Sequence, residues 1–135
     1  MIGSIRLDGT VSCVMIEGSA DREAFRMYVS HILGPTLRRG DVVVVDNLSV
    51  HKDAESREII GSFGADLFFL PPYSPDLNPI EKMWSKVKTH LRSAKARTHP
   101  DLISAIGEAL TKIKASDARG YFFRATIRHF NRDSL

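Results

Sequence analysis

The chain has 135 residues, 43% of them hydrophobic and 26% charged, with a formal net charge of +3. This is the composition of a globular domain with a core of its own, which excludes a disordered or low-complexity chain. The longest strongly apolar run holds the four valines at positions 42–45 and is far too short to span a membrane, so no membrane partner is expected.

The N-terminal sequence and the cysteine content both bear on the cellular compartment. The start of the chain, MIGSIRLDG, lacks the apolar core that a signal peptide needs. The single cysteine, Cys13, cannot form an internal disulfide, which suits a reducing compartment. Both features predict an intracellular protein.

Basic residues are concentrated in one stretch, between positions 82 and 97. A block of one charge sign can bind phosphate by releasing counterions, but a solvated helix face gives the same pattern, and the sequence leaves both interpretations open. The block contains no acidic residue, and its members are Lys82, Lys86, Lys88, Arg92, Lys95 and Arg97.

The first third of the chain predicts a hairpin followed by a helix. The turn pair Asp8-Gly9 separates two apolar segments, 4–7 and 11–17, which is the pattern of an antiparallel hairpin. Apolar residues then recur at helical spacing, at Phe25, Tyr28, Val29, Ile32 and Leu33.

The segment GDVVVVDN carries an apolar run that does not alternate with polar residues. Such a run predicts a strand at 42–45 that is buried on both faces, as in a parallel sheet. Residues 52–63 then fit a helix ended by Gly64, and 67–70 fit a second buried strand. Strands that come first and then alternate with helices indicate an α/β fold.

A proline-rich stretch, LPPYSPDLNP, leads into the next helix. Each proline fixes φ and removes a backbone donor, so this stretch cannot be an ordinary strand or helix. Asn78 is expected to cap the helix, with Pro79 in its first position and Glu81 in its third, the place of a capping box. Two later helices are predicted, one capped by Thr98 and one at about 116–130.

Two carboxylates are placed where chemistry could occur. Asp46 lies at the carboxyl end of the valine strand, and Glu81 begins the helix that follows the next strand. If the two strands are parallel neighbours, both acids face one crevice at the same sheet edge, as a Mg²⁺ site requires. Taken singly, Asp46 could be a turn residue and Glu81 a capping residue. A phosphatase-like use of Asp46 as a nucleophile would need an acid at position 48, which is leucine.

The segments that carry these acids, VVVVDNLSVHK and LFFLPPYSPDLNPIEKMWSKVK, closely resemble the catalytic domain of the mariner-type DDE transposases, in their bacterial insertion-sequence branch. The spacing between Asp46 and Glu81 is typical of that superfamily. The resemblance implies an RNase H-like fold, with a mixed sheet flanked by helices. It also implies Mg²⁺-dependent (or Mn²⁺-dependent) cleavage and strand transfer of transposon-end DNA, in a bacterial cytoplasm near the nucleoid.

The resemblance also implies roles for particular residues. Asp46 and Glu81 match the second and third acidic positions, which are catalytic and bind the metal. Asn47 and His51 match polar positions beside the second acid, where His51 would touch DNA or position the carboxylates. The basic block supplies the expected DNA contacts, Lys82, Lys86, Lys88 and Arg92. The loop that orients Glu81 is formed by Pro72, Tyr73, Ser74, Pro75, Asn78 and Pro79.

One part of the family pattern has no match. The first acid of the family lies on a first, central strand upstream of the hairpin, and this chain enters the hairpin at once. We therefore expect a single partial domain, with a hairpin at 1–17, a core at 18–92 that holds the two matched acids, and C-terminal helices at 93–135.

A two-metal site that lacks its first acid should be inactive alone. An upstream transposase segment or self-association is therefore expected to complete the site. The alternative is a truncated, non-catalytic transposase that binds DNA or full-length transposase and represses transposition.

Overall fold

A computed structural model describes residues 1–16, 18–72 and 74–133 of the chain. They belong to two compact units, one formed by Met1–Ser4 with Ser12–Asn78 and the other by Ile5–Val11 with Pro79–Leu135. The described residues form a mixed α/β structure with two small sheets of two strands each.

The predicted hairpin is present, with its strands shorter than expected. Strand β1 (Ile2–Ile5) pairs with β2 (Val11–Val14). The Arg6 N–H donates to the Thr10 carbonyl at 2.9 Å, and Gly9 takes a φ of +90°, which glycine adopts without steric cost. The first strand therefore lies two residues earlier than the apolar pattern suggested, because the turn begins at Arg6.

The predicted first helix is also present, as three consecutive helical pieces. Helix α1 (Arg22–Met27) starts at Asp21, whose side chain accepts from the Ala24 N–H at 2.9 Å. It continues as a π-helical turn (Tyr28–Leu33) and a 3-10 turn (Gly34–Thr36). The apolar residues predicted at helical spacing form one side of the core of the first unit, where Phe25, Tyr28, Val29 and Leu33 are buried with Ile60 and Ala65.

Strands β3 (Val42–Val45) and β4 (Asp66–Phe69) form a parallel pair, with Val42 opposite Asp66 and Val45 opposite Phe69. Helix α2 (Ala54–Ser62) connects them, and Gly64 ends it with a φ of +81°. The parallel arrangement expected for the two strands is confirmed. A parallel pair needs such a crossover, because a tight turn can join only antiparallel strands.

The prediction that β3 is buried on both faces is wrong for the described residues. Val43 and Val45 pack against the core, whereas Val42 is 58% exposed, Val44 43% and Phe68 57%. The physical reason is the strand period: successive side chains point to opposite faces, and the core of this unit lies against one of them. The run of valines reflects the preference of β-branched residues for strands and does not require burial on both sides.

The second unit contains three helices, α3 (Ile80–Ala94), α4 (His99–Thr111) and α5 (Ala115–Asp133). Thr98 caps α4 as predicted, and its hydroxyl accepts from the Asp101 N–H at 3.2 Å. The buried residues are mostly small or medium in size, which lets helices approach closely, and they are Met83, Val87, Ala105, Ile106, Ala109, Ile113, Ala118 and Ala125. Among the described helices, none is both long enough and apolar enough to cross a membrane.

The core of the first unit generates a test at alkaline pH. Burial raises the pKa of the Cys13 thiol to about 11 and that of the Tyr28 hydroxyl to about 12, from ordinary values of 9.0 and 10.0. Both neutral forms are favoured in the folded chain, so their stabilising contribution is complete below pH 9 and is lost as the pH rises to 12. We expect the free energy of unfolding to fall over this window in urea titrations.

The double variant Cys13→Ala/Tyr28→Phe provides the control, because it removes both titrating groups. Its free energy of unfolding should depend less steeply on pH than that of the parent chain. Equal slopes for the two proteins would contradict the assignment of the alkaline loss to these groups.

Candidate functional site

Asp46 lies where the sequence analysis placed it, at the carboxyl end of β3. The Leu70 N–H donates to the Val45 carbonyl at 2.8 Å, so the parallel pairing extends to the residue just before Asp46. The Asp46 Oδ1 accepts from the Leu48 N–H at 3.2 Å, which closes a local turn. Its side chain is 39% exposed. The carboxylate is therefore held by the backbone and still open to solvent.

His51 approaches the same carboxylate from the turn that follows. A 3-10 turn (Ser49–His51) brings its Nδ1 to 2.7 Å from the Asp46 Oδ1. This nitrogen is buried, and the contact is too poorly aligned to be a regular hydrogen bond. The imidazole ring packs on the ring of Phe25 in α1, with the centroids 4.6 Å apart and the planes inclined by 43°. His51 thus contacts both the Asp46 carboxylate and Phe25, a residue of the core.

An ion pair anchors the far end of the same loop. Asp53 caps α2, where its Oδ2 accepts from the Ser56 N–H at 3.1 Å and from the Ser56 hydroxyl at 3.0 Å. Arg26 of α1 binds both carboxylate oxygens of Asp53, with Nε 2.6 Å from Oδ2 and Nη2 2.7 Å from Oδ1. These hydrogen bonds hold the pKa of Asp53 far below its ordinary value and that of Arg26 above it. Asp53 is 7% exposed, so its charge is buried, and it is compensated by the hydrogen bonds from Arg26 and Ser56.

The proline-rich loop is ordered by local contacts in its described part. The Ser74 side chain is buried, and its hydroxyl donates to the Pro72 carbonyl at 3.2 Å. A 3-10 turn (Pro75–Leu77) follows and buries Leu77. Tyr73, the other residue predicted for this scaffold, lies outside the described residues.

The assigned start of α3 lies one residue later than predicted. The helix begins at Ile80 and its capping position is Pro79, which has no side-chain acceptor, while Asn78 ends the preceding 3-10 turn in an extended conformation. Glu81 is therefore the second residue of the helix with these bounds. Pro79 already has helical dihedral angles, with a φ of −55°, so the ring itself sets the helix start. Glu81 is exposed in the first turn of α3.

The basic residues of α3 differ in what their charges contact. Lys82, Lys88 and Arg92 are exposed. Lys86 instead donates to the Asp117 Oδ2 at 2.8 Å and to the Lys112 carbonyl at 3.0 Å, which ties α3 to the start of α5. The hydrogen bond from Lys86 is the main reason that the pKa of Asp117 lies below its ordinary value. Lys86 is thus occupied by a structural contact within the second unit.

The donor set around Asp46 suits a divalent cation in part. Ionised carboxylates are the hard oxygen ligands that Mg²⁺ and Mn²⁺ prefer, and the Asp46 carboxylate is accessible. Within the described part of the chain, no three His, Cys, Asp or Glu side chains are grouped as metal ligands would be.

Comparison with known proteins identifies a family for this chain. Residues 1–103 match the protein family described as DDE superfamily endonuclease. The chain belongs to this family. The matched part of the endonuclease chain includes the hairpin, both units' acidic candidates and the whole of α3.

A transposase is among the relatives of this DDE endonuclease chain. The protein named Transposable element Tcb2 transposase, from Caenorhabditis briggsae, is 32% identical over 85 residues, which cover 60% of this chain and 31% of that protein. The endonuclease chain therefore matches about a third of the length of this relative.

Several residues of the Asp46 loop were not found from the sequence. The cap at Asp53 could have been predicted, because aspartate is a favoured capping residue and Asp53 lies at the start of the helix expected at 52–63. The pairing of Asp53 with Arg26 and of His51 with Phe25 could not, because each pair joins residues far apart in the chain.

The contribution of the Lys86–Asp117 contact to stability can be tested by substitution. Lys86→Gln should lower the free energy of unfolding by about 0.5 to 1 kcal/mol, because a half-exposed ion pair is partly screened by water. Asp117→Asn should have a similar effect, and the double variant should lose less than the sum of the two. Urea denaturation followed by Trp84 fluorescence would measure this coupling.

Lys88→Gln is the matched control, since Lys88 is exposed on the same helix. It should leave the free energy of unfolding nearly unchanged. If Lys86→Gln behaved like Lys88→Gln, the pairing with Asp117 would contribute nothing to folding.

Proposed function

We propose that this chain is the catalytic segment of a mariner-type transposase of the bacterial insertion-sequence branch, which cleaves and joins DNA with Mg²⁺ or Mn²⁺. The observation that carries the proposal is Asp46, an accessible carboxylate at the carboxyl end of a parallel strand, fixed by Leu48 and His51 within the matched residues 1–103. The name of the Caenorhabditis briggsae relative supports the transposase assignment. An RNase H-like architecture is part of the proposal.

In this proposal, Asp46 and Glu81 hold the metal ions as the second and third acids of the family. When bound, such ions activate the attacking oxygen and stabilise the leaving oxygen of a phosphodiester. The protein's contribution is to hold and orient both carboxylates. The turn bond from Leu48 and the contact with His51 restrict Asp46, and Glu81 is placed in the first turn of α3.

The remaining acid of the family is proposed to come from another segment. It would be supplied either by an upstream part of the same product or by a second polypeptide, including a further copy of the transposase. Asn47 and His51 are proposed to lie beside the bound DNA. The exposed cations Lys82, Lys88 and Arg92 are proposed to contact its phosphates.

The first test is DNA cleavage by the natural gene product, purified through a C-terminal tag added with its upstream DNA intact. Duplexes that carry the sequences flanking the gene would be incubated with Mg²⁺, Mn²⁺ or Ca²⁺. Cleavage should require Mg²⁺ or Mn²⁺, and Asp46→Asn or Glu81→Gln should each reduce its rate by about 100-fold or more, since even supporting residues of metal sites have effects of 10- to 100-fold.

Glu58→Gln serves as the control for loss of one negative charge, because Glu58 is exposed on α2 and outside the proposed site. It should cleave at the parent rate. All three variants should retain DNA binding in gel-shift assays. Unchanged cleavage by Asp46→Asn or Glu81→Gln would overturn the assignment of these carboxylates.

A second candidate is a non-catalytic transposase fragment that represses transposition by occupying DNA or binding full-length transposase. The observation that favours it is the exposure of Lys82, Lys88 and Arg92, which would bind phosphates whether or not the acids act. A chain that binds DNA normally but shows no metal-dependent cleavage in its natural form would support this candidate over the enzyme.

DNA binding itself should depend on the exposed cations of α3. Lys88→Gln and Arg92→Gln should each weaken binding to all sequences alike and reduce the slope of log affinity against log salt by about 1. Lys86→Gln is the matched comparison and should change this slope less, since its ammonium already binds Asp117. Fluorescence anisotropy with a labelled duplex at several salt concentrations would measure the slopes.

An equal effect of all three substitutions would mean that Lys86 leaves Asp117 to bind DNA. No effect of Lys88→Gln and Arg92→Gln would remove α3 from the DNA-binding surface.

A further inference from the structure

The loop that carries Asp46 is attached at two points to one short helix. Residues 47–52 connect Asp46 to Asp53, and both His51 and Asp53 contact α1. The two contacting residues on that helix, Phe25 and Arg26, are neighbours in sequence. A displacement of Arg26 would therefore act on the loop at the place where it enters α2.

We infer that Arg26 is a positioning residue for Asp46. It does not contact Asp46 itself; its guanidinium fixes Asp53, and Asp53 fixes the end of the loop. That Arg26 matters for catalysis rests on the proposed function of Asp46. That Arg26 positions the loop does not depend on that function.

The geometry of the ion pair explains why it can set a position. The planar guanidinium of Arg26 engages both oxygens of Asp53 through Nε and Nη2, which defines the orientation of the carboxylate as well as its distance. The same carboxylate caps α2 through the Ser56 N–H, so the helix start cannot move without breaking the pair. Glu55 binds the remaining Nη1 at 2.9 Å from the solvent side.

The short loop transmits this restraint to Asp46. The His51 N–H donates to the Leu48 carbonyl at 3.0 Å, and the Lys52 N–H donates to the Ser49 carbonyl at 3.1 Å. Leu48 in turn donates its N–H to the Asp46 Oδ1. Three local hydrogen bonds thus span the loop from Lys52, the residue before Asp53, back to the Asp46 carboxylate.

The test compares Arg26→Met with Arg22→Met, a matched loss of one positive charge at an exposed position of the same helix. Amide hydrogen exchange would be followed by NMR in the ¹⁵N-labelled chain. In Arg26→Met, the amides of His51 and Lys52 should exchange about tenfold faster or more, as expected for loss of charge-assisted hydrogen bonds. The Leu70 amide, which reports on the β3–β4 pairing, should keep its rate. Arg22→Met should change neither.

Asp53→Asn is the second variant, and it distinguishes loss of the ion pair from general unfolding of the chain. Asparagine still caps a helix, so α2 should begin at the same residue while the ion pair is lost. Faster exchange at His51 and Lys52, with the Leu70 amide unchanged, is again the expected result. Unchanged exchange at the loop in both variants would overturn the inference. A uniform increase that includes Leu70 in both variants would also overturn it, because the pair would then act on the whole fold.

Titration with Mn²⁺ separates this inference from the proposed function. In the parent chain, Mn²⁺ should broaden the amide signals of Asp46 and Asn47, and Arg26→Met should need a severalfold higher Mn²⁺ concentration for the same broadening. Absence of broadening in the parent chain would contradict the proposed metal site. The role of Arg26 in ordering the loop would then be decided by the hydrogen-exchange rates alone. Equal broadening in both chains, with faster loop exchange, would mean that Arg26 orders the loop without placing Asp46.

Discussion

The parallel pairing of β3 with β4 is the constraint on which the candidate site depends. Parallel strands cannot be joined by a tight turn, so the chain must leave the end of β3, form α2 and return to the start of β4. Both strands then end at the same edge of the sheet, where Asp46 follows one and the proline-rich loop follows the other. The position of the acid is therefore a consequence of strand direction.

Strand direction alone would leave Asp46 on a free loop. The structure restrains this loop with polar contacts in place of apolar burial: a turn bond from Leu48, a contact with His51 and the capped ion pair at Asp53. Such restraint leaves the carboxylate exposed to solvent. Burial in the core would have restrained it equally well but would have disfavoured its charged form.

The second unit shows that the sequence gives the position of each charged residue but not the group that its charge contacts. Lys82, Lys88 and Arg92 are exposed, whereas Lys86 pairs with Asp117 in α5. All four lysine and arginine residues belong to the same basic run and to the same helix. What separates them is whether a partner lies within reach: the Asp117 carboxylate and the Lys112 carbonyl both accept from Lys86.

The sequence by itself determined the order of the elements, the cap at Thr98 and the place of Asp46 directly after a strand, because each depends on residues close together in the chain. The parallel pairing of β3 with β4 was indicated by the apolar run but joins residues far apart in the chain. Two motifs indicated a member of the DDE superfamily, and the match over residues 1–103 confirms this coarser assignment. Tertiary structure alone decided which valines of β3 are exposed, which lysine is occupied and which helix holds the Asp46 loop. Those outcomes depend on contacts such as Arg26 with Asp53, whose partners are brought together only by folding.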